Sequence, residues 1–312
     1  MKQNKPLMLL YSKVQLLNIG MNNGLSIKDL ENLSGIKAHT IRMWEKRHNI
    51  FDPDRTETNI RLYSTDDLTK LLNISSVLDH GMKISKVSML SREELNKEIE
   101  LLQQENIEAS KKIIVNKLIV ATLKCNVVDF EKTYKTYVAE NGLEDAMEKI
   151  IYPMLIQIGL MWTVSKLNPS QEHFASQMIR QKLFTAIDLL PDASKKNSRF
   201  LLYLPDNESH EIGLLYAYYL IKKACHECIY LGPSVPVEDV GACCTNSNAT
   251  HVLCAFTIQR SESVFKAYFD KMREACPSAQ LLVHGLPSAM TSQLNDSNFK
   301  ILTDLQDLKN II

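Results

Sequence analysis

The apolar pattern changes its period at Pro191, and that change limits the architectures open to the chain. Beyond it, apolar runs of strand length at 200–204, 228–231, 251–256 and 280–283, with a last one at 299–302, alternate with helical segments starting near Gly213, Val237 and Glu262. Strand and helix in alternation predict an α/β domain with a doubly wound parallel sheet over 198–312. Ligands of such sheets bind beyond the carboxyl ends of the strands, so the loop 205–212 after the first strand is the first place to look for a site. Before Pro191, residues 107–190 hold four amphipathic stretches divided by Asn126, by Asn141-Gly142 and by Asn168-Pro169, which predicts a four-helix bundle over 107–191. Between 93 and 106 Glu, Gln, Lys and Asn dominate, with Leu95, Ile99 and Leu102 at helical spacing, and this reads as an exposed helical linker.

The N-terminal part reads as short helices. Ser26 is placed to cap a helix over 27–33, and Gly35 turns it into a second over 38–46, the compact spacing of a helix-turn-helix. The segment 49–62 contains Pro53 and several polar residues, as a loop or small wing does. Ser64 with Asp67 three residues on caps a helix over 65–79, which Gly81 ends. A third domain over 22–92 follows, in keeping with a chain of 312 residues, too long for one ordinary core.

With 45% hydrophobic and 23% charged residues the chain is of globular type. Its longest apolar runs, such as 150–161, are interrupted by Pro153 and Gln157 and fall short of the roughly 20 residues of a membrane span. The apolar stretch 7–10 is followed by Lys13 and Gln15 without a small-residue cleavage site, so neither membrane insertion nor secretion is expected. Met21, just before the recognisable domain, is a candidate natural start that would make residues 1–20 dispensable. Seven cysteines without an even, spaced framework point to a reducing cytoplasm. Cys225-x-x-Cys228 lacks the second pair of a structural zinc site, because Cys243 and Cys244 are adjacent, and buried thiols are expected instead. No Gly-rich phosphate loop or nucleophile elbow occurs, and no enzymatic activity is expected. Net charge is zero, yet residues 1–90 hold 13 Lys/Arg against 9 Asp/Glu, a surplus where a DNA-binding module needs it.

The segment LSIKDLENLSGIKAHTIRMWEKRHNIFDPDRTETNIRLYSTDDLTKLLNI resembles the DNA-binding domain of the MerR family of transcriptional regulators. The landmarks are the R-x-W-E-x-R phrase at Arg42, Trp44, Glu45 and Arg47, the P-x-R loop at Pro53 and Arg55, and the R-L-Y-S phrase from Arg61 to Ser64. Physical chemistry points the same way. A helix carrying His39, Thr40, Arg42, Lys46 and Arg47 offers hydroxyl and cationic donors to a major groove, while Arg55, Asn59, Arg61 and Tyr63 grip phosphates beside it. Trp44 is expected in the core. For any single Lys or Arg an ordinary surface charge is the better reading; the constellation argues otherwise. The resemblance implies an α-helical winged helix-turn-helix acting on double-stranded DNA as a homo-oligomer, a dimer or tetramer, often with distortion of the DNA. Thr58-Asn59 occupies the wing turn, where glycine is common.

The helical region contains Trp162 followed ten residues later by Glu172-His173, and the α/β region contains Glu208-x-His210-x-x-Gly213 directly after a predicted strand. In this order they resemble the helical cap and the flavodoxin-like cobalamin-binding domain shared by cobalamin-dependent methionine synthase and the light-sensing repressors of the CarH/LitR kind. The resemblance implies His210 as the lower, metal-ligating residue to cobalt, with Glu208 setting its protonation and Gly213 letting a helix start close against the cofactor. It implies Trp162, Glu172 and His173 over the upper face, with Thr257 and Gly285 as further contacts. Singly, each has an ordinary structural reading; their order favours the functional one. Adenosylcobalamin is the form and light the stimulus that the resemblance suggests, with a protein antirepressor as a further partner. The chain departs from the pattern at Thr163, where the best-known light sensors carry histidine, at Cys225, where a small glycine is common, and at His284-Gly285, where cobalamin domains usually carry two glycines. Three readings follow: a cobalamin-controlled repressor, a corrinoid methyl carrier, and a cofactor-free regulator whose C-terminal half binds a protein partner or only oligomerises.

Overall fold

The computed structural model describes residues 24–163, 167–192, 198–258, 260–287 and 298–312, so Met21 and residues 1–20 lie outside the described residues. The described chain falls into two compact units, one ending at Ala175 and the other running from Ser176 to Ile312.

The first unit opens with the helix-turn-helix. Helix α1 (Ile27–Ser34) starts at a capping box between Ser26 and Asp29 and ends at Gly35, whose φ of 76° is the left-handed conformation that favours glycine. Helix α2 (Ala38–His48) follows, and then a two-stranded wing of β1 (Asp54–Arg55) and β2 (Arg61–Leu62), antiparallel with Arg55 opposite Arg61. Asn59 takes the left-handed position of the wing turn at φ 65°, one of the few non-glycine residues that does so readily. Leu25 and Tyr63 exchange backbone hydrogen bonds of 2.8 and 2.7 Å and tie the start of the head to the wing. Helix α3 (Thr65–Asp79) begins at the Ser64–Asp67 capping box, a device that stabilises by about 1 kcal/mol, and a short α4 (Ile84–Val87) follows.

Helix α5 (Arg92–Glu105) is not the exposed linker that its composition suggests. Leu95 and Ile99 are buried with Leu30, Ile41, Trp44, Leu68, Leu71 and Val77, and Leu102 packs against this core. Three apolar residues at helical spacing make a narrow stripe that composition conceals, and that stripe is enough to dock the helix. Helix α6 (Ile107–Leu123) is apolar on two sides. Ile113 belongs to the head core, with Val120 and Leu123 packed on it, while Val115, Leu118, Ile119 and Thr122 are buried on the opposite side, where α6 meets the bundle.

The bundle continues with α7 (Val127–Asn141), capped by Asn126 through its side chain and Asp129 N–H, 3.1 Å. Next come α8 (Leu143–Asp145), a π-helical turn (Ala146–Ile151) and α9 (Tyr152–Thr163), and then α10 (Pro169–Asp188). The breaks fall at Asn126, Gly142 and Asn168, as expected. Helix α10 starts in the first compact unit and ends in the second, which begins at Ser176.

The second unit is the α/β domain. It holds β3 (Arg199–Tyr203), α11 (Ile212–Lys223), β4 (Glu227–Gly232), α12 (Val237–Ser247), β5 (His251–Ala255), α13 (Glu262–Ala275), β6 (Gln280–His284), β7 (Phe299–Leu302) and α14 (Leu305–Lys309). All five strands are parallel in the order β4-β3-β5-β6-β7, with Leu201 beside Ile229 on one side and Val252 on the other. This is the flavodoxin-like order, and it reverses between β3 and β5. Leu201, Tyr203, Val252, Cys254, Leu281 and Val283 pack one face of the sheet against Val240, Phe265, Phe269 and Met272. No cysteine forms a disulfide, and Cys244, Cys254 and Cys276 are buried.

Candidate functional site

Helix α2 exposes His39, Arg42, Met43, Lys46 and Arg47, whose spacing of three and four residues puts them on one face. Thr40 is half-buried beside them, and Ile41 and Trp44 turn inward to the core. On the wing Arg55 and Asn59 are exposed, with Arg55 Nη1 donating to Asn59 Oδ1 at 2.7 Å.

Tyr63 requires a correction. Its ring is 1% exposed and its hydroxyl donates to Glu45, so it serves the interior of the head instead of reaching phosphates. Burial, and then the Glu45 carboxylate, push that hydroxyl well above its ordinary range. Arg61 is half-buried and its Nε is held by Glu45 at 2.8 Å, which leaves the outer edge of the guanidinium on the wing. Glu45, which the residue-by-residue reading left without a role, thus joins the recognition helix to the wing. The signal for it was an acid on the helix proposed to face DNA.

At the other end of the chain the loop 205–211 leaves β3 at the point where the strand order reverses. Leu204 N–H donates to Gly232 at 2.9 Å, and Ser234 N–H to the Glu208 carbonyl at 3.2 Å, so this loop is sewn to the one after β4. Glu208 has no exposed surface. One carboxylate oxygen accepts from Thr257 N–H at 3.1 Å and from the Thr257 hydroxyl, and the other from Ile258 N–H at 3.0 Å. His210 is exposed, with Nδ1 3.3 Å from Thr257 Oγ1. Thr257 therefore touches both the buried acid and the imidazole. An imidazole with one nitrogen against a hydroxyl that a carboxylate holds in place is oriented to offer its other nitrogen to a metal. This donor set fits the lower face of a corrinoid.

Gly213 lies in the first turn of α11 directly after this loop, and Gly285 follows β6 at φ 86°. Glu172 and His173 sit in the first turns of α10, with His173 Nδ1 3.0 Å from Glu172 Oε2 and the imidazole exposed. Trp162 and Thr163 are in α9, but their side chains lie outside the described residues.

Two further groups at the carboxyl edge were passed over in the sequence. Glu211, buried beside His210, accepts from Arg180 of α10 and from the Tyr230 hydroxyl of β4. Phe184 meets the Tyr230 ring edge-on at 6.3 Å and Tyr218 stacks on it at 5.4 Å. Arg260 lies in the loop after β5 and donates to the Asp206 carbonyl at 2.7 Å. Position alone marked that loop, since it follows the other strand of the switch point.

Residues 25–94 match the family described as MerR HTH family regulatory protein, and residues 114–186 match the B12 binding domain. The chain joins a MerR-type helix-turn-helix to a B12-binding domain. The first match stops inside α5 and the second runs from α6 into α10, so it includes Glu172, His173 and Arg180. The HTH-type transcriptional repressor CarH of Myxococcus xanthus is 25% identical over 253 residues, covering 78% of this chain and 83% of its own. CarA, a repressor of the same organism, is 24% identical over 269 residues, covering 84% and 86%. In fold, the chain is similar to the monomethylamine corrinoid protein of Methanosarcina barkeri, with a TM-score of 0.51 at 15% identity over 64% of this chain and 96% of that one. Among the described residues no helix is long and apolar enough to cross a membrane.

Proposed function

We propose that this protein is a cytoplasmic transcriptional repressor that binds double-stranded DNA through α2 and the wing and is controlled by cobalamin. The observation that carries the reading is the His210–Thr257–Glu208 constellation at the β3/β5 switch point, in a chain whose other end exposes a cationic α2 face. The likeness to two repressors over most of the chain supports the direction of control.

When bound, adenosylcobalamin supplies a cobalt–carbon bond that light can break. His210 would hold the cofactor from below, with Thr257 and Glu208 fixing the ring and Gly213 leaving room for close approach. Control of DNA affinity then requires that the cofactor favour one homo-oligomer, dimer or tetramer, over another state. A protein antirepressor is a second route of control on this reading.

The test is an absorption spectrum of the purified chain mixed with adenosylcobalamin in the dark, desalted and then illuminated, with size-exclusion profiles and DNA binding measured before and after. Corrinoid that co-elutes, and an assembly state that changes on illumination together with DNA affinity, is the expected result. Corrinoid without a light-dependent change makes the protein a chemical sensor of cobalamin. Colourless protein that still binds DNA overturns the cobalamin half of the reading and selects a cofactor-free regulator. One observation favours that second reading: His284, standing where cobalamin domains usually have a glycine, has a side chain that fills space at the end of β6 and bonds Leu302 O through Nδ1 at 2.7 Å.

A further inference from the structure

The loop that carries His210 has no regular secondary structure, so whatever holds it decides how well the imidazole is aimed. From the β5 side it is held at two places. Glu208 is anchored by Thr257 and Ile258, and Asp206 by the Arg260 guanidinium, whose Nη2 donates to its carbonyl at 2.7 Å. The same Nη2 lies 3.8 Å from Glu208 Oε1, so one cation serves both the entry of the loop and its buried carboxylate. The guanidinium also rests 5.5 Å over the Phe256 ring. Phe256 is 1% exposed and is fixed by edge-on contacts with Phe265 at 5.0 Å and Tyr268 at 5.4 Å. A planar cation on a rigid aromatic base, with its fork turned to a carbonyl and a carboxylate, is pre-organised in a way that a flexible ammonium is not.

We propose that Arg260 is a positioning residue for His210: it straps the loop 205–211 to the loop after β5 and so holds the imidazole where it can reach a corrinoid cobalt. The assignment rests on the reading of His210 as the lower ligand. Loss of the guanidinium frees the Asp206 carbonyl and leaves Glu208 without its nearby cation. The buried acid then holds Thr257, and through it His210, less firmly.

The test uses the full chain labelled with 15N-histidine and loaded with cob(II)alamin, read by electron paramagnetic resonance. A protein imidazole on cobalt changes the nitrogen splitting from the triplet of 14N to the doublet of 15N. Wild type is expected to show the doublet. Arg260→Gln is expected to lose a large part of it and to retain corrinoid about tenfold less tightly, the scale of one charge-assisted hydrogen bond. Arg260→Lys should recover part of both. In the ligand-free chain, amide exchange across 206–211 should quicken in Arg260→Gln, while Glu262→Gln, a change of an exposed charge nearby, leaves it unaltered.

A wild-type doublet with an equal doublet and equal retention in Arg260→Gln overturns the assignment and leaves a protein histidine as the ligand. Absence of the doublet in wild type overturns both. Should Arg260→Gln fail to fold, Arg260→Lys is read in its place, and a wild-type doublet and retention there overturn the strap.

Discussion

Arg42 and Glu45 lie one turn apart on α2 and do opposite things. Arg42 faces out with His39 and Lys46, whereas Glu45 turns to Arg61 and Tyr63. Arg42→Ala is therefore expected to weaken operator binding by at least tenfold, the scale of one base contact, with an unchanged unfolding curve; equal affinity in a gel-shift titration would remove α2 as the reading element. Glu45→Ala is expected to act on stability, costing about 1–3 kcal/mol because a half-buried arginine and a buried phenol lose a charged partner. Thermal unfolding measures it, and an unaltered midpoint would mean that the wing does not depend on this acid. At the sheet, His210→Ala should abolish the histidine doublet or weaken corrinoid retention, and an indistinguishable holo-protein would refute the ligand. The outward residues of α2 were legible in the sequence because helical spacing alone sorts them. Tyr63 was not, since a two-residue strand has too little period to say which way its neighbour points, and the partner that draws it inward lies 18 residues earlier.

Elements were easier to read than their packing. Capping residues, glycine stops and Asn breaks are local chemistry, so α1, α3, α7 and the strands fall close to where the sequence puts them. The docking of α5 and the passage of α10 from one unit to the other depend on surfaces far away in sequence. Nothing in 169–188 marks Arg180 as the partner of Glu211 or Phe184 as that of Tyr230. The contact of α12 with α13 is of the same kind. A Cβ on Gly241 would meet the Ala275 Cβ at 2.9 Å and its carbonyl at 3.0 Å, so the two helices pass as close as a bare backbone allows. Gly241→Ala should raise helix propensity and nonetheless destabilise the α/β unit by about 1–3 kcal/mol, the cost of overpacking. A urea midpoint that rises instead would show that α12 shifts freely on the sheet.

At the scale of the whole molecule the two units should answer differently to acid. His251 and His284 both belong to the unit that begins at Ser176. Burial holds the His251 imidazole below its ordinary range, with the neighbouring His226 adding to it and the Gln280 side chain opposing it. Burial does the same to His284 against the hydrogen bond that its Nδ1 makes to the Leu302 carbonyl and the charges of Asp304 and Asp307. A base whose pKa is lower in the folded state binds its proton more readily once unfolded. Its contribution is therefore present above the unfolded value of about 6.5 and is lost as pH falls from there toward the folded value. The slope is at most about 1.4 kcal/mol per pH unit for each imidazole. Asp307, held below the ordinary carboxylate range by the Thr303 hydroxyl and backbone, adds a loss only at lower pH, below about 3.9. Both tryptophans, Trp44 and Trp162, lie in the unit that ends at Ala175. Urea unfolding at pH 7.5 and 5.5 should thus show the midpoint from circular dichroism falling with acid while the tryptophan fluorescence midpoint moves less. Replacing His251 and His284 together with glutamine should flatten the difference. Equal shifts in both signals, untouched by the double replacement, would place the acid sensitivity elsewhere in the chain.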